Sequence, residues 1–140
     1  MSGFRSAEEF REVMDRTFEL MSSDPEVGPR LRDADTPQRW EFPDLQLVVN
    51  VGPSEGDAAQ NLVWEWSDDV AWEPEVKMTM DSDVANRYFQ GKENIAMGVA
   101  RGHIRPAGNF RKALALVPVT KPVFAKYLAM CQAEYPHLVE

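Results

Sequence analysis

The sequence predicts an α+β fold, with helices layered on one face of a largely antiparallel sheet, and three observations predict it. Val76, Met78 and Met80 alternate with Lys77, Thr79 and Asp81, which is the period of a half-buried strand. At Asp81-Ser82 the period becomes helical, and Val84, Ala85, Tyr88 and Phe89 fall on one side. Helical spacing also governs the opening stretch after Ser6 and the closing stretch after Asn109, whereas alternation dominates between them. At 140 residues and 15.9 kDa, with no repeat or low-complexity linker, the chain reads as a single domain, residues 1–140, large enough to bury a continuous core.

In order, Ser6-Ala7-Glu8-Glu9 is a capping box, followed by Phe10, Val13, Met14, Thr17, Phe18 and Met21 at helical spacing until Pro25. Glu26 to Thr36, with Gly28, Pro29 and several charges, reads as an irregular connection. Gln38, Trp40 and Phe42 alternate between Pro37 and Pro43, which suggests a strand at a sheet edge. Leu45, Leu47, Val49 and Val51 form the next strand, and Gly52-Pro53-Ser54-Glu55-Gly56-Asp57 is a turn by composition. Leu62, Trp64 and Trp66 return as a hairpin partner after a loop of roughly ten residues, longer than usual. Ser67-Asp68-Asp69 starts another turn before the Val76 to Met80 strand.

Past that strand, Asp81 or Ser82 caps a helix that Gly91 ends, and Asn94 caps a short one holding Ile95, Ala96, Val99 and Ala100. Gly102 closes it before a brief strand around Ile104, and Gly108-Asn109 turns into a helix carrying Phe110, Ala113, Leu114 and Val117. Pro118 is expected to break that helix. Thr120 would then cap a separate last helix with Phe124, Tyr127, Leu128 and Cys131 on one stripe, stopped by Pro136.

The order of strand, two short helices, glycine-bounded strand and apolar helix resembles the sterol carrier protein 2 family of lipid-binding domains. The residues that carry the resemblance are the Val76 to Met80 alternation, Asp81-Ser82-Asp83, Tyr88-Phe89-Gln90-Gly91, and Gly102-x-Ile104-x-x-x-Gly108 followed by Asn109. Many members have Asp where this chain has Asn109, and both residues cap helices well. The resemblance implies a five-stranded, mostly antiparallel sheet covered on one face by helices, with an apolar tunnel between them. It further implies binding or transfer of a fatty acid, fatty acyl thioester or sterol, without catalysis or cofactor. The lining it implies here is Trp64, Trp66, Met78, Met80, Phe89, Ile95, Ile104, Phe110, Leu114, Phe124 and Leu128.

Composition narrows the alternatives. The net charge of -8 argues against nucleic acid as partner and against electrostatic docking on anionic membranes. The longest apolar run, Ala113 to Val119, ends in the segment that Pro118 interrupts and falls short of the ~20 residues of a span, so stable membrane insertion is not expected. A single cysteine, Cys131, no signal-peptide core and no peroxisomal address at Leu138-Val139-Glu140 make the cytoplasm the expected location. Nucleophile elbows, phosphate loops, dinucleotide fingerprints and zinc helices are absent. His103 beside Arg101 and Arg105 reads as a surface group, Asp68, Asp69, Asp81 and Asp83 as turn and cap residues, and Cys131 as a small core residue; no metal is expected. The partners expected are a lipid ligand, a second copy in a simple homodimer if the chain is not a monomer, and a lipid-metabolism enzyme. Two further readings stand beside the carrier. One is an accessory subunit of a lipid or steroid degradation pathway with no usable cavity, docking through Trp40, Trp72 and the loop after Pro53. The other is an enzyme with His103 and Asp81 or Asp83 as acid and base.

Overall fold

Nine segments of regular structure precede one long helix in the computed structural model, which describes residues 3–55, 60–70 and 72–140. Helix α1 spans Ala7–Ser23 and starts as the capping box requires, with the Ser6 hydroxyl accepting from the Glu9 N–H at 3.0 Å. The return half of the box lands one residue earlier than its usual target, since Glu9 Oε1 accepts from the Arg5 N–H at 3.0 Å.

The stretch expected to be irregular is a helix, α2, over Val27–Ala34. Its N-terminal donors are met by a residue before it. Asp24 Oδ1 accepts from the N–H groups of Glu26 at 2.9 Å and Val27 at 2.8 Å. Pro29 falls in the first turn, where a missing donor costs nothing, and Val27 and Leu31 bury the inner side. Asp35, at φ 48°, ends it in the left-handed region.

Strands β1 (Gln38–Phe42), β2 (Leu47–Pro53), β3 (Leu62–Glu65), β4 (Val76–Met80) and β5 (Ile104–Gly108) form one sheet in the order β3-β2-β1-β4-β5. All neighbours are antiparallel except β1 and β4, which run parallel with Trp40 opposite Met78. β1 is therefore central, against the expectation of an edge. Pro37 and Pro43 lie just outside the strand, so neither removes a ladder donor. Gly52 and Pro53, expected in a turn, extend β2 and face Val63 and Leu62; the expected turn positions Gly56 and Asp57 lie outside the described residues.

The β3–β4 connection has to pass β2 and β1, and it does so over the face of the sheet away from the helices. The Arg39 guanidinium donates to the Asp68 carbonyl at 3.1 Å, Asn50 Nδ2 donates to the Ser67 carbonyl, and the Trp72 ring lies against Gly52, where a Cβ would sit 2.7 Å from it. Only glycine leaves room for that ring.

Helix α3 covers Ser82–Phe89 and α4 covers Ile95–Ala100. Asp81 precedes α3 without a side-chain bond to it. The capping acceptor is Asp44, which takes the Ser82 N–H at 3.0 Å and the Ser82 hydroxyl at 2.6 Å. The Asn94 and Asn109 caps form as expected, accepting from Met97 and Lys112. Gly91, Gly102 and Gly108 take positive φ, and the last lies against the Glu75 carbonyl, so it has both a conformational and a steric reason to be glycine.

Pro118 does not break the last helix. Helix α5 runs unbroken over Phe110–Glu134 with Pro118 and Pro122 inside it. Both rings point to solvent, while the inner stripe of Ala113, Leu116, Thr120, Val123, Tyr127 and Cys131 stays continuous in the core. The core side holds the helix together where two backbone donors are missing. By length and composition α5 is also apolar enough to cross a membrane, so the apolar run is longer than the interruption at Pro118 suggested. After it, a 3-10 turn at Pro136–Leu138 returns the chain to the core. There the Leu138 carbonyl accepts from Asn86 Nδ2 at 2.9 Å and Gln90 Nε2 at 2.7 Å, and the Tyr127 hydroxyl donates to Asn86 Oδ1 at 2.6 Å.

Candidate functional site

The helix-side face of the sheet is not filled evenly. Phe10, Phe18, Phe42, Phe89 and Tyr127 pack against one another and against Trp40, with ring centroids 4.6 Å apart for Phe10 and Phe42 and 5.9 Å for Trp40 and Phe89. Beside this cluster lies an apolar void of about 50 Å³ between the sheet and the first half of α5. Its floor is Trp40, Val51, Leu62 and Met78; its roof is Ala113, Leu116 and Val117; Met21, Leu31, Tyr88 and Ile95 close the sides.

The void persists because its neighbours are held elsewhere. The Trp40 indole N–H donates to Gln38 Oε1 at 3.1 Å and the ring stacks on Phe89 with planes 16° apart, so it cannot swing into the space. Ala113 contributes only a methyl group to the roof. Among the described residues, no charged side chain lines it. The hydroxyls of Thr36 and Thr120, which do, donate to the carbonyls of Ala34 at 3.0 Å and Leu116 at 2.9 Å. Burial pushes the Tyr88 phenol up to about 12 against the opposing pull of its hydrogen bond with Thr120, so it stays neutral in a dry wall.

A void of this size is smaller than the ~150 Å³ that a benzene-binding cavity needs and far below the ~300 Å³ of a ligand pocket. The expected tunnel is thus closed to a small gap.

Of the residues expected to line it, Met78 and Ile95 do. Phe89 is fully buried in the aromatic cluster, and Met80 and Ile104 are buried opposite each other on β4 and β5. Phe110, Leu114, Phe124 and Leu128 are half-buried along α5, with the Phe124 ring 5.2 Å from Tyr88. Trp64 and Trp66 sit elsewhere: both indole N–H groups donate to Asp15 Oδ1, at 3.1 and 2.6 Å, beside an open groove with Arg11 and Lys126. The residues that sequence reasoning missed, Met21, Leu31, Trp40, Val51, Tyr88 and Leu116, become neighbours only through α2 and the parallel β1–β4 pair.

The other candidate groups are placed as follows. His103 is exposed, with Nδ1 3.5 Å from Glu93, whose other oxygen takes the Arg87 guanidinium at 3.1 Å. It borders one open hollow with Asp81 and Asp83. Cys131 is buried, and burial pushes its thiol up. Trp40 cannot belong to an exposed docking patch, because it is buried in the sheet face under the helices.

A five-stranded sheet in this order, roofed by these helices, defines the class: the chain folds as a sterol carrier protein 2-like domain. Among solved structures it is similar to the sterol carrier protein 2 of Yarrowia lipolytica in apo form, at 14% identity and TM-score 0.56, covering 88% of this chain and 94% of that one. It is similar also to UbiJ-SCP2, a ubiquinone synthesis protein, at 9% identity and TM-score 0.60, covering 81% of this chain and 94% of that one. A third likeness is to the stereoselective inverting sec-alkylsulfatase Pisa1 from Pseudomonas sp., at 14% identity and TM-score 0.61 over 76% of this chain. This chain spans only 16% of the alkylsulfatase's length. No family model and no curated protein sequence matches the chain.

Proposed function

We propose that the chain binds or transfers a lipid, of the fatty acid, fatty acyl thioester or sterol class, between α5 and the sheet. The observation that carries this reading is an uncharged apolar void under a helix whose roof section contains Pro118 and Pro122. Two missing backbone hydrogen bonds make that section the least costly part of the cover to displace. A buried methylene contributes about 0.8 kcal/mol, so a chain of about a dozen carbons supplies roughly 10 kcal/mol. Opening the roof and ordering the ligand consume part of it, which leaves affinity near the ~8 kcal/mol of micromolar binding. A cytoplasmic setting suits the single buried Cys131, and no cofactor is needed.

Native mass spectrometry of the purified protein, followed by incubation with dodecanoate, a fatty acyl thioester and a sterol, tests the reading. A stoichiometric adduct is expected. Trp40, in the floor of the void, is the indole whose emission should change, and Trp40→Phe should remove that change. A mass that stays that of the free chain with every lipid would overturn it.

The accessory-domain reading has one observation in its favour: the same fold occurs within an alkylsulfatase of which it makes up a small part. It expects no adduct and a stable complex with a larger enzyme on size exclusion.

A further inference from the structure

The chain is acidic as a whole, yet its charges are segregated. Seven of the fifteen Lys and Arg residues lie between Lys92 and Lys126, with Glu93 as the one acidic residue there, and none follows until Glu134. That stretch is α4, the edge strand β5 and most of α5.

Five of its seven cations are also unpaired among the described residues. Lys112 pairs with Glu75 at 2.7 Å and Lys126 with Asp24 at 2.5 Å, but Lys92, Arg101, Arg105, Arg111 and Lys121 are exposed and make no ion pair among the described residues. The acids near them are Glu93, tied to Arg87 and His103, and Asp81 and Asp83, which border the hollow that holds Arg105. Arg105 is therefore the least available of the five.

Apolar surface accompanies these cations. Met97 on α4 is 48% exposed, beside exposed Ala96 and Ala100. The outer side of α5 presents Ala115, Pro118, Pro122, Ala125 and Ala129, with no carboxylate before Glu134. Both helices border the void, α4 through Ile95 and α5 through Val117, and the turn between α3 and α4 lies against α5, where a Cβ on Gly91 would meet the Phe124 ring at 3.5 Å.

We propose that the face formed by α4 and the outer side of α5 docks on an anionic lipid surface, held by Lys92, Arg101, Arg111 and Lys121 and seated by Met97. Unpaired cations around an exposed thioether and a carboxylate-free helix side match lipid phosphates above an acyl region. The negative remainder of the protein is turned to water and sets the orientation. Net charge alone argued against such docking, because it averages over the segregation. The docking is peripheral and does not depend on the void being filled.

The test is co-sedimentation with vesicles of phosphatidylcholine, with and without phosphatidylglycerol, at ~0.05 M and ~0.3 M salt. Binding to the phosphatidylglycerol vesicles alone, weakened by salt, is expected. Each cation carries about a fivefold effect near a charged surface, so Lys92→Glu/Arg101→Glu/Lys121→Glu should lower partitioning on the order of 10²-fold or more. Met97→Ser, which removes the apolar side chain and adds no charge, should weaken it without changing the salt slope. Arg11→Glu, on α1, should change it little, and unchanged circular dichroism and melting certify the folding of each variant. Ala113→Phe, which fills the void, should abolish lipid uptake and leave docking intact, so the two proposals fail separately. No binding to anionic vesicles at low salt, or binding that survives the triple reversal, would overturn the inference. Capture on immobilised polyglutamate without vesicle binding would overturn it in favour of an acidic protein partner.

Discussion

The two ends of the layer between sheet and helices are packed on different principles. Under α1 and the second half of α5, aromatic rings meet edge to face and side chains such as Phe10, Phe18, Phe42 and Tyr127 are wholly out of water. A buried network of Asn86, Gln90 and Tyr127 closes that end around the C-terminal tail. Under the first half of α5 the walls are Met21, Leu31, Met78, Ile95 and Leu116, the roof carries two prolines, and a gap remains. Rigid planar rings leave few alternative packings, whereas Met and Leu side chains refill a changing space at low cost. Stability is concentrated at one end and adaptability at the other.

The largest effect should separate the ends directly. Phe42→Ala removes a ring from a site that cannot collapse and should cost about 3–5 kcal/mol in a denaturant titration. Leu116→Ala, beside a gap that is already present, should fall at the low end of its class, near ~2 kcal/mol, and should raise lipid uptake. Equal losses from the two substitutions would show that the ends are packed alike. Next in size is Pro118→Ala. Restoring a donor in mid-helix should stabilise the fold by about 1–3 kcal/mol while slowing ligand entry measured by stopped-flow Trp40 emission. A loss of stability on that change would mean that the proline ring packs against something and that the roof is not held in a weakened state.

The same contrast governs what the sequence disclosed. Periodicity located α1, the β2–β3 hairpin, β4 and the glycine-ended α3 and α4, because each is specified by its own residues. The aromatic end was legible in the same way, since Phe10, Phe18 and Phe89 fall on the inner sides of amphipathic helices. The adaptable end was not. Helix α2 depends on Asp24, which stands before it, and α5 survives Pro118 and Pro122 through tertiary burial of its inner stripe. The void borders Trp40 and Met78 together only because β1 and β4 pair in parallel across a long connection, which no local pattern encodes. Trp64 and Trp66 alternate as lining residues should, yet the Asp15 carboxylate holds both indoles at the side of α1.

The smallest effect reaches the adaptable end through charge. The Lys126 ammonium, 2.5 Å away, and the N–H groups of Val27 and Glu26 hold the Asp24 carboxyl down at about 2. A folded-state value below the ~4 of an ordinary aspartate means that its contribution is complete above ~4 and is lost as pH falls through about 2. Asp24→Asn keeps the shape and removes the charge, and in the neutral range it should cost about 1–2 kcal/mol, the scale of a helix cap. Denaturant midpoints of the two proteins should therefore run parallel from neutral pH to ~5 and converge toward ~2. Because Asp24 starts the helix that supplies Leu31 to the wall of the void, amide protection in α2, relative to the free-amide rate at each pH, should fall in the same acid window before protection around Phe42 does. Simultaneous loss of protection at both places would mean that the two ends open as one unit, and the division between them would be one of packing alone.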